Sequence, residues 1–211
     1  VNPNAASTTT LKSLLPALID STANNYYQVG FYTAQFSQQT ASYTSGTLST
    51  DRNIDVKLDV MQGIYQTALT NAMVMLDLAN EKNASYYAAI AKILIVANLT
   101  LGTDVYGDVP FSDAFKAPAV LYPKYDNQQE IYTTMHKYLD EAIAAAKTAG
   151  TGDLPGAEDL CYGGKMDRWA EVANLLKARL YLHTTKKGAG AAASGALAAL
   201  TNSISSAAND W

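Results

Sequence analysis

Hydrophobic positions along this chain recur at the three-to-four-residue spacing of helices, and no segment sustains the alternation of a strand. Residues 56–80 show the spacing best. Val60, Ile64, Ala68, Met75 and Leu78 form one stripe, and Met61, Tyr65, Ala72, Leu76 and Ala79 form a second beside it. Two adjacent stripes predict a helix packed between two others, with Asp55 placed to cap its start. Residues 86–102 are apolar nearly all round, through Ile90, Ile93, Leu94, Ile95, Val96 and Leu99. Such a helix belongs at the centre of a core, and Gly102 is expected to stop it. Nearer the start, residues 11–19 and 26–39 predict two helices parted at Asn24 and Asn25. Pro16 leaves the first boundary open, because proline fits only the first helical turn.

An irregular stretch follows over residues 103–125, punctuated by Pro110, Pro118 and Pro123. Asp126 is the expected N-cap of the next helix, with Gln129 at the capping-box position. Ile131, Met135, Tyr138, Ala142 and Ala146 supply that helix's stripe. A glycine-rich loop spans residues 150–164. Asp167 then stands to cap a helix whose stripe is Trp169, Val172, Ala173, Leu176 and Leu180. A last helix, beginning near Ala191, carries Ala193, Leu197, Leu200 and Ile204 on one stripe and small alanines over much of the rest. The pattern predicts an all-α fold of at least six helices in helix–turn–helix pairs, with no sheet of three or more strands.

Composition narrows the function. A chain of 211 residues with 48% hydrophobic and 16% charged residues is a folded composition. It corresponds to one domain or a large piece of one. A formal net charge of −4 argues against non-specific nucleic-acid binding and gives no electrostatic attraction to anionic lipid. Cys161 is the sole cysteine, so no disulfide can form within the chain. The first ten residues have no apolar run of the kind a leader needs. The longest apolar stretch, residues 88–101, contains Lys92, Asn98 and Thr100 and falls short of the ~20 apolar residues a membrane span requires. An anchor, if there is one, would lie upstream of Val1.

Three motifs carry a family resemblance. Asp104, Tyr106, Gly107, Asp108, Val109, Pro110, Phe111, Ser112, Asp113 and Ala114 are similar to a D-x-Y-G-D-V-P-[FY]-[ST]-[DE]-A signature at the end of a helix. Pro123, Tyr125, Asp126, Gln128, Ile131 and Tyr132, followed by Leu139, Asp140 and Ala142, resemble P-x-Y-D-x-Q-x-x-I-Y…L-D-x-A. Asp159, Tyr162, Gly163, Gly164 and Trp169, running on to Asn174, Leu175, Leu176, Lys177, Arg179 and Leu180, resemble D-x-x-Y-G-G-x-x-x-x-W…N-S-L-K-x-R-L. In order and spacing these resemble the SusD-like (SusD/RagB) family. Asn2, Pro3 and Asn4 and residues 36–39 extend the likeness over nearly the whole chain, while residues 170–172 depart from it in lacking an aromatic. The resemblance implies helix pairs like those of tetratricopeptide (TPR) repeats. It implies a surface lipoprotein of the outer membrane in Bacteroidetes-type bacteria, held by a lipid anchor. It also implies an oligosaccharide or, less often, peptide ligand, and a SusC-like TonB-dependent transporter as partner. Family members run to about twice this length, so residues 1–211 read as the N-terminal helical portion, with a C-terminal half absent or on a separate chain. Trp211, a large ring at the end of the sequence, agrees with that expectation.

Candidate chemistry is sparse. Asp104, Asp108 and Asp113 could hold Ca²⁺ by composition, but their spacing is not that of a calcium loop. Bonding to backbone N–H groups around Gly107 and Pro110 is the expected role. With Tyr106 and Phe111, either of which could pack inward, Asp104, Gly107, Asp108 and Pro110 are read as a structural motif. His136 and His183 lack metal-ligand spacing, and His183 is expected as a packed core residue. No nucleophile, phosphate-loop or metal motif is present, so neither catalysis nor a cofactor is expected. Tyrosine is the informative enrichment, with 14 Tyr against 2 Trp and 4 Phe. Most, including Tyr65, Tyr132, Tyr138 and Tyr181, sit at packing positions. Tyr43, in a polar loop ending at Arg52 and Asn53, suits a sugar ligand, which needs an aromatic face beside hydrogen-bonding groups. A helix-repeat scaffold that binds only protein is the rival function.

Overall fold

In a computed structural model, which describes residues 9–41 and 60–207, the described residues form six α-helices. They are α1 (Leu11–Phe36), α2 (Thr70–Glu81), α3 (Ser85–Tyr106), α4 (Gln128–Ala146), α5 (Met166–His183) and α6 (Ala189–Leu200). A π-helical segment, Gly63–Leu69, runs directly into α2. Among the described residues there is no strand, only one isolated antiparallel bridge between Val109 and Asp126. The fold is all-α, and consecutive helices from α2 to α6 pack side by side.

α3 is the centre. Sixteen of its residues are buried, from Tyr87 to Thr103, and α1, the π segment, α2, α4 and α5 all pack against it. By length and composition α3 could cross a membrane, contrary to the reading of residues 88–101. Here it is the core of the helical array, which selects for the same composition. Gly102 does not end it. Residues 103–106 continue the helix to Gly107, whose φ of +79° is the left-handed geometry that glycine adopts without strain. Thr103 fixes that stop: its carbonyl accepts from the Gly107 N–H at 2.8 Å, and its hydroxyl donates to the Gly107 carbonyl at 2.7 Å.

The expected break at Asn24 and Asn25 is absent, and α1 runs unbroken through both. Asn25 is buried and donates to Asn98 Oδ1 at 2.8 Å. Asn98 in turn donates to Thr22 Oγ1 at 2.8 Å and to the Leu94 carbonyl at 2.9 Å. An asparagine engaged across the core has no reason to interrupt its own helix. α1 begins with a capping box between Thr10 and Ser13. Pro16 lies inside the helix, not at its first turn.

The two stripes of the second helical region meet through the π segment. Thr70 Oγ1 donates to the Tyr65 carbonyl, five residues back, at 2.8 Å. The extra residue in the turn rotates the helix face. Val60, Ile64 and Ala68 and then Ala72, Met75, Leu76 and Ala79 are thereby all buried, while Met61, Tyr65 and Leu78 lie at the edge. Residues 56–59 and the expected cap Asp55 fall outside the described residues.

Three other expectations change. Asn127, not Asp126, caps α4, accepting from the Gln129 N–H at 2.9 Å. Lys165 occupies the cap position of α5, with Asp167 in the first turn. α6 starts at Ala189, ends at Leu200, and presents the opposite face from the one its leucines suggested. Ala192, Ala196 and Ala199 are buried against Ala178 and Tyr181 of α5, whereas Leu197 and Leu200 are 67% and 43% exposed. A β-carbon on Gly195 would stand 2.7 Å from the Tyr181 ring, so the small face wins because it alone permits this approach.

Replacing Asn98 with Ala leaves the Asn25 carboxamide buried without its partner, while the Thr22 hydroxyl keeps only the Leu18 carbonyl. The expected cost is ~2–4 kcal/mol, read as a lowered denaturant midpoint at unchanged slope. A variant as stable as the parent would show that the α1–α3 polar contact is dispensable.

Candidate functional site

Two buried carboxylates organise the irregular segments. Asp126, 5% exposed, accepts from the Phe111 and Ser112 N–H groups at 2.9 and 2.6 Å and from the Ser112 hydroxyl at 2.6 Å. Burial alone would raise its pKa, but these hydrogen bonds and nearby Lys124 hold it below the ordinary carboxylate value. Asp159, 3% exposed, accepts from the N–H groups of Cys161, Tyr162 and Gly164 and, at 2.8 Å, from Trp169 Nε1. Gly164 has φ +82°, and a β-carbon there would clash with the Pro155 carbonyl. The first two family-like motifs thus meet at one hydrogen-bonded corner, and the third closes on itself at another.

The triplet Asp104, Asp108 and Asp113 is dispersed. Asp108 Oδ1 accepts from the Gln128 N–H at 2.8 Å, at the start of α4. Asp113 pairs with Lys116 at 3.2 Å. Among the described residues Asp104 bonds no loop N–H; it takes the Tyr132 hydroxyl and lies 2.9 Å from His183 Nδ1. His183 is therefore a member of a polar cluster at the helix ends, not a core residue. His136 packs 4.5 Å from the Tyr181 ring, and burial lowers its pKa. Among the described residues no group of three or more His, Cys, Asp or Glu could hold a metal. Phe111 is the buried ring of the 104–111 motif; Tyr106 is 38% exposed. Tyr43, Arg52 and Asn53 lie outside the described residues.

A shallow cleft of about 410 Å³ lies over the π segment, lined by Met61, Gln62, Tyr65, Gln66, Pro110 and Tyr125. Tyr65 is its fixed wall: its hydroxyl donates to the Pro110 carbonyl at 2.8 Å, and its ring stacks on Phe115 at 5.8 Å. Burial, then Tyr125 and Asp126, raises the Tyr65 pKa, so the hydroxyl stays a donor. Tyr125 is the open wall, 70% exposed, and Tyr122, at 93%, is nearby in sequence. Gln62 and Gln66, joined at 3.2 Å, put exposed carboxamides at the rim. Residues 42–59 run in sequence straight into Val60 and this rim. An exposed aromatic face beside carboxamides is an arrangement that packs against sugar C–H groups while bonding hydroxyls.

A family model described as "Starch-binding associating with outer membrane" matches residues 3–210. The chain belongs to this SusD-like family. Solved structures agree with the match. The SusD-like chain is similar to a chitin-binding protein at 28% identity and TM-score 0.79, covering 93% of this chain and 44% of that one. It is similar to a SusD/RagB family protein from Bacteroides thetaiotaomicron at 25% identity and TM-score 0.71, covering 96% and 44%. A chitin-binding SusD homologue from Flavobacterium johnsoniae shares the fold at 23% identity and TM-score 0.73, covering 92% and 43%. The chain spans less than half the length of these structures. No curated protein matches it.

Sequence reasoning missed Gln62, Gln66 and Tyr125. Tyr125 was visible only as a motif letter, and helical spacing alone does not mark Gln62 and Gln66 as the rim of a cleft.

Removing the Asp126 carboxylate strands two backbone donors and one hydroxyl. Asp126→Ala is expected to cost ~2–4 kcal/mol, against ~1 kcal/mol for Asp108→Ala, which removes a single capping hydrogen bond. Because the folded-state pKa of Asp126 lies below its unfolded value, its contribution is present at neutral pH. It disappears as pH falls through the folded value. Asp126→Asn should therefore flatten the acid limb of a stability–pH profile, and an unchanged limb would contradict the assignment.

Proposed function

We propose that the chain is the N-terminal helical portion of a glycan-binding protein that captures an oligosaccharide at the cell surface and delivers it to a SusC-like TonB-dependent transporter. On this reading a C-terminal half completes the protein, and a lipid anchor upstream of Val1 holds it on the outer membrane. It binds and does not catalyse. The observation that carries the reading is the open Tyr125 ring beside the Gln62 and Gln66 carboxamides, on a fold whose neighbours include two structures described as chitin-binding. Tyr43, Arg52 and Asn53 are proposed as further ligand contacts. Tyr106, Gly107, Asp108, Pro110 and Phe111 are proposed as the structural corner beside the cleft, and Asp104 as a structural residue held by Tyr132 and His183 at the helix ends.

A second reading has a specific observation behind it. The exposed Leu197 and Leu200 on α6 and an apolar groove of about 590 Å³ between α1 and α5, floored by Leu94 and Leu176, suit a protein scaffold without ligand selectivity.

Calorimetric titration of the full-length protein with chitohexaose and maltoheptaose separates the two. The glycan reading expects saturable binding of at least one. Tyr125→Ala should weaken it about tenfold, the value of one aromatic contact of ~1.4 kcal/mol, with thermal stability unchanged. Silence toward both sugars, or equal affinity in the variant, would count against the site.

A further inference from the structure

The ends of three helices meet at a second and larger cleft. The C-terminus of α3 brings Asp104, the N-terminus of α4 brings Gln128, Gln129 and Tyr132, and the end of α5 brings His183, Thr184, Lys186 and Lys187, around about 640 Å³. Its floor is a hydrogen-bonded chain. Arg179 Nε donates to His183 Nε2 at 3.4 Å, which leaves the ring proton on Nδ1, facing Asp104 Oδ2 at 2.9 Å. Tyr132 donates its hydroxyl to the other Asp104 oxygen. Burial, then the Asp104 hydrogen bond, raises the Tyr132 pKa and keeps that donor in place. The carboxylate is thus saturated from within the protein and offers little to a ligand.

The rim is different. Lys187 Nζ meets only the Gln129 side-chain oxygen, at 3.4 Å, and neither Lys186 nor Lys187 forms an ion pair among the described residues. The lining thus carries two lysines against one satisfied carboxylate, in a chain whose formal net charge is −4. The local sign is opposite to the global one, and two of the charges have no anionic partner among the described residues. Beside them, Gln128, Gln129 and Thr184 can bond hydroxyls. Gln128 is held in place by its amide donation to the Thr103 carbonyl at 2.8 Å.

We propose that this cleft is a second glycan subsite, selective for a sugar bearing a carboxylate, with Lys186 and Lys187 on the acid group and the α4 carboxamides and Thr184 on the hydroxyls. This rests on the reading of the chain as glycan-binding and adds an acidic class of ligand at a separate place. The attraction is between exposed charges, so it falls with ionic strength.

The test is calorimetric titration of the full-length protein with tetragalacturonate and with its methyl ester, at low and high salt. Tetragalacturonate is expected to bind at low salt, at least tenfold tighter than the ester, and to weaken in high salt. K186Q/K187Q should lose at least tenfold in affinity at an unchanged melting temperature. Lys147→Gln, at the far end of α4, should bind as the parent does, and acetate at equal carboxylate concentration should not displace the oligosaccharide. Equal affinity for acid and ester, undiminished binding by the double variant, or no binding of the acid would overturn the subsite. Chitohexaose and maltoheptaose titrated in parallel distinguish the failures. Neutral binding without acid binding removes only this subsite, whereas absence of both removes the glycan reading itself.

Discussion

A helix with no polar face must be covered on every side, and α3 imposes that constraint on this chain. Its buried residues extend around the whole circumference. α1, the π segment with α2, α4 and α5 are its cover, and each carries an apolar stripe on one side. Burial supplies the drive but little registration, since apolar contact is non-directional. Registration comes from Asn98, the buried polar residue that holds Thr22 and Asn25 of α1. A polar group in such a place is costly unless its partners are aligned, which makes it a register pin.

The segments between helices reach comparable order by another route. Residues 107–126 and 150–165 have few helical bonds, yet each closes on one carboxylate. Asp126 gathers the backbone after Pro110, and Asp159 gathers the Gly163–Gly164 turn and the Trp169 indole. Because Asp126 ties down Phe111 and Ser112, Pro110 stays in reach of the Tyr65 hydroxyl, and Tyr65 becomes a fixed wall. Tyr125, adjacent to Asp126 in sequence, is then held at the opposite wall with its ring open. A rigid scaffold presenting a few exposed groups limits the ordering cost of binding a flexible oligosaccharide.

Much of this was readable in the sequence, because period and composition report burial. Of the α4 stripe, Ile131, Met135 and Ala142 are buried while Tyr138 and Ala146 are half-buried; the α5 stripe Trp169–Val172–Ala173–Leu176–Leu180 is buried as its spacing implies, and α3 is central because it is apolar all round. What could not be read depends on partners distant in the chain. Asn25 looks like a helix breaker until Asn98 is beside it. Gly102 looks like a stop until Thr103 is seen bonding Gly107. The leucines of α6 look like its core face until Tyr181 leaves room only for Gly195 and the alanines. The motifs pointed to the family, yet the helix-start pattern gave Asp126 a capping role, and nothing in the sequence related Asp104 to His183. Tyr132, Asp104 and His183 come from three helices, and only the fold joins them. Tyr125 stood in a motif whose letters do not say which side chain turns outward.

The central claim is that a rigid helical frame presents an aromatic–carboxamide cleft to a glycan at the π segment. Hydrogen–deuterium exchange of the full-length protein, with and without a bound oligosaccharide, tests it most directly. The account predicts added protection over residues 61–66 and 110–125, with α3 slow to exchange in both states. Protection confined to the groove between α1 and α5, with residues 61–66 and 110–125 unaffected, would contradict it.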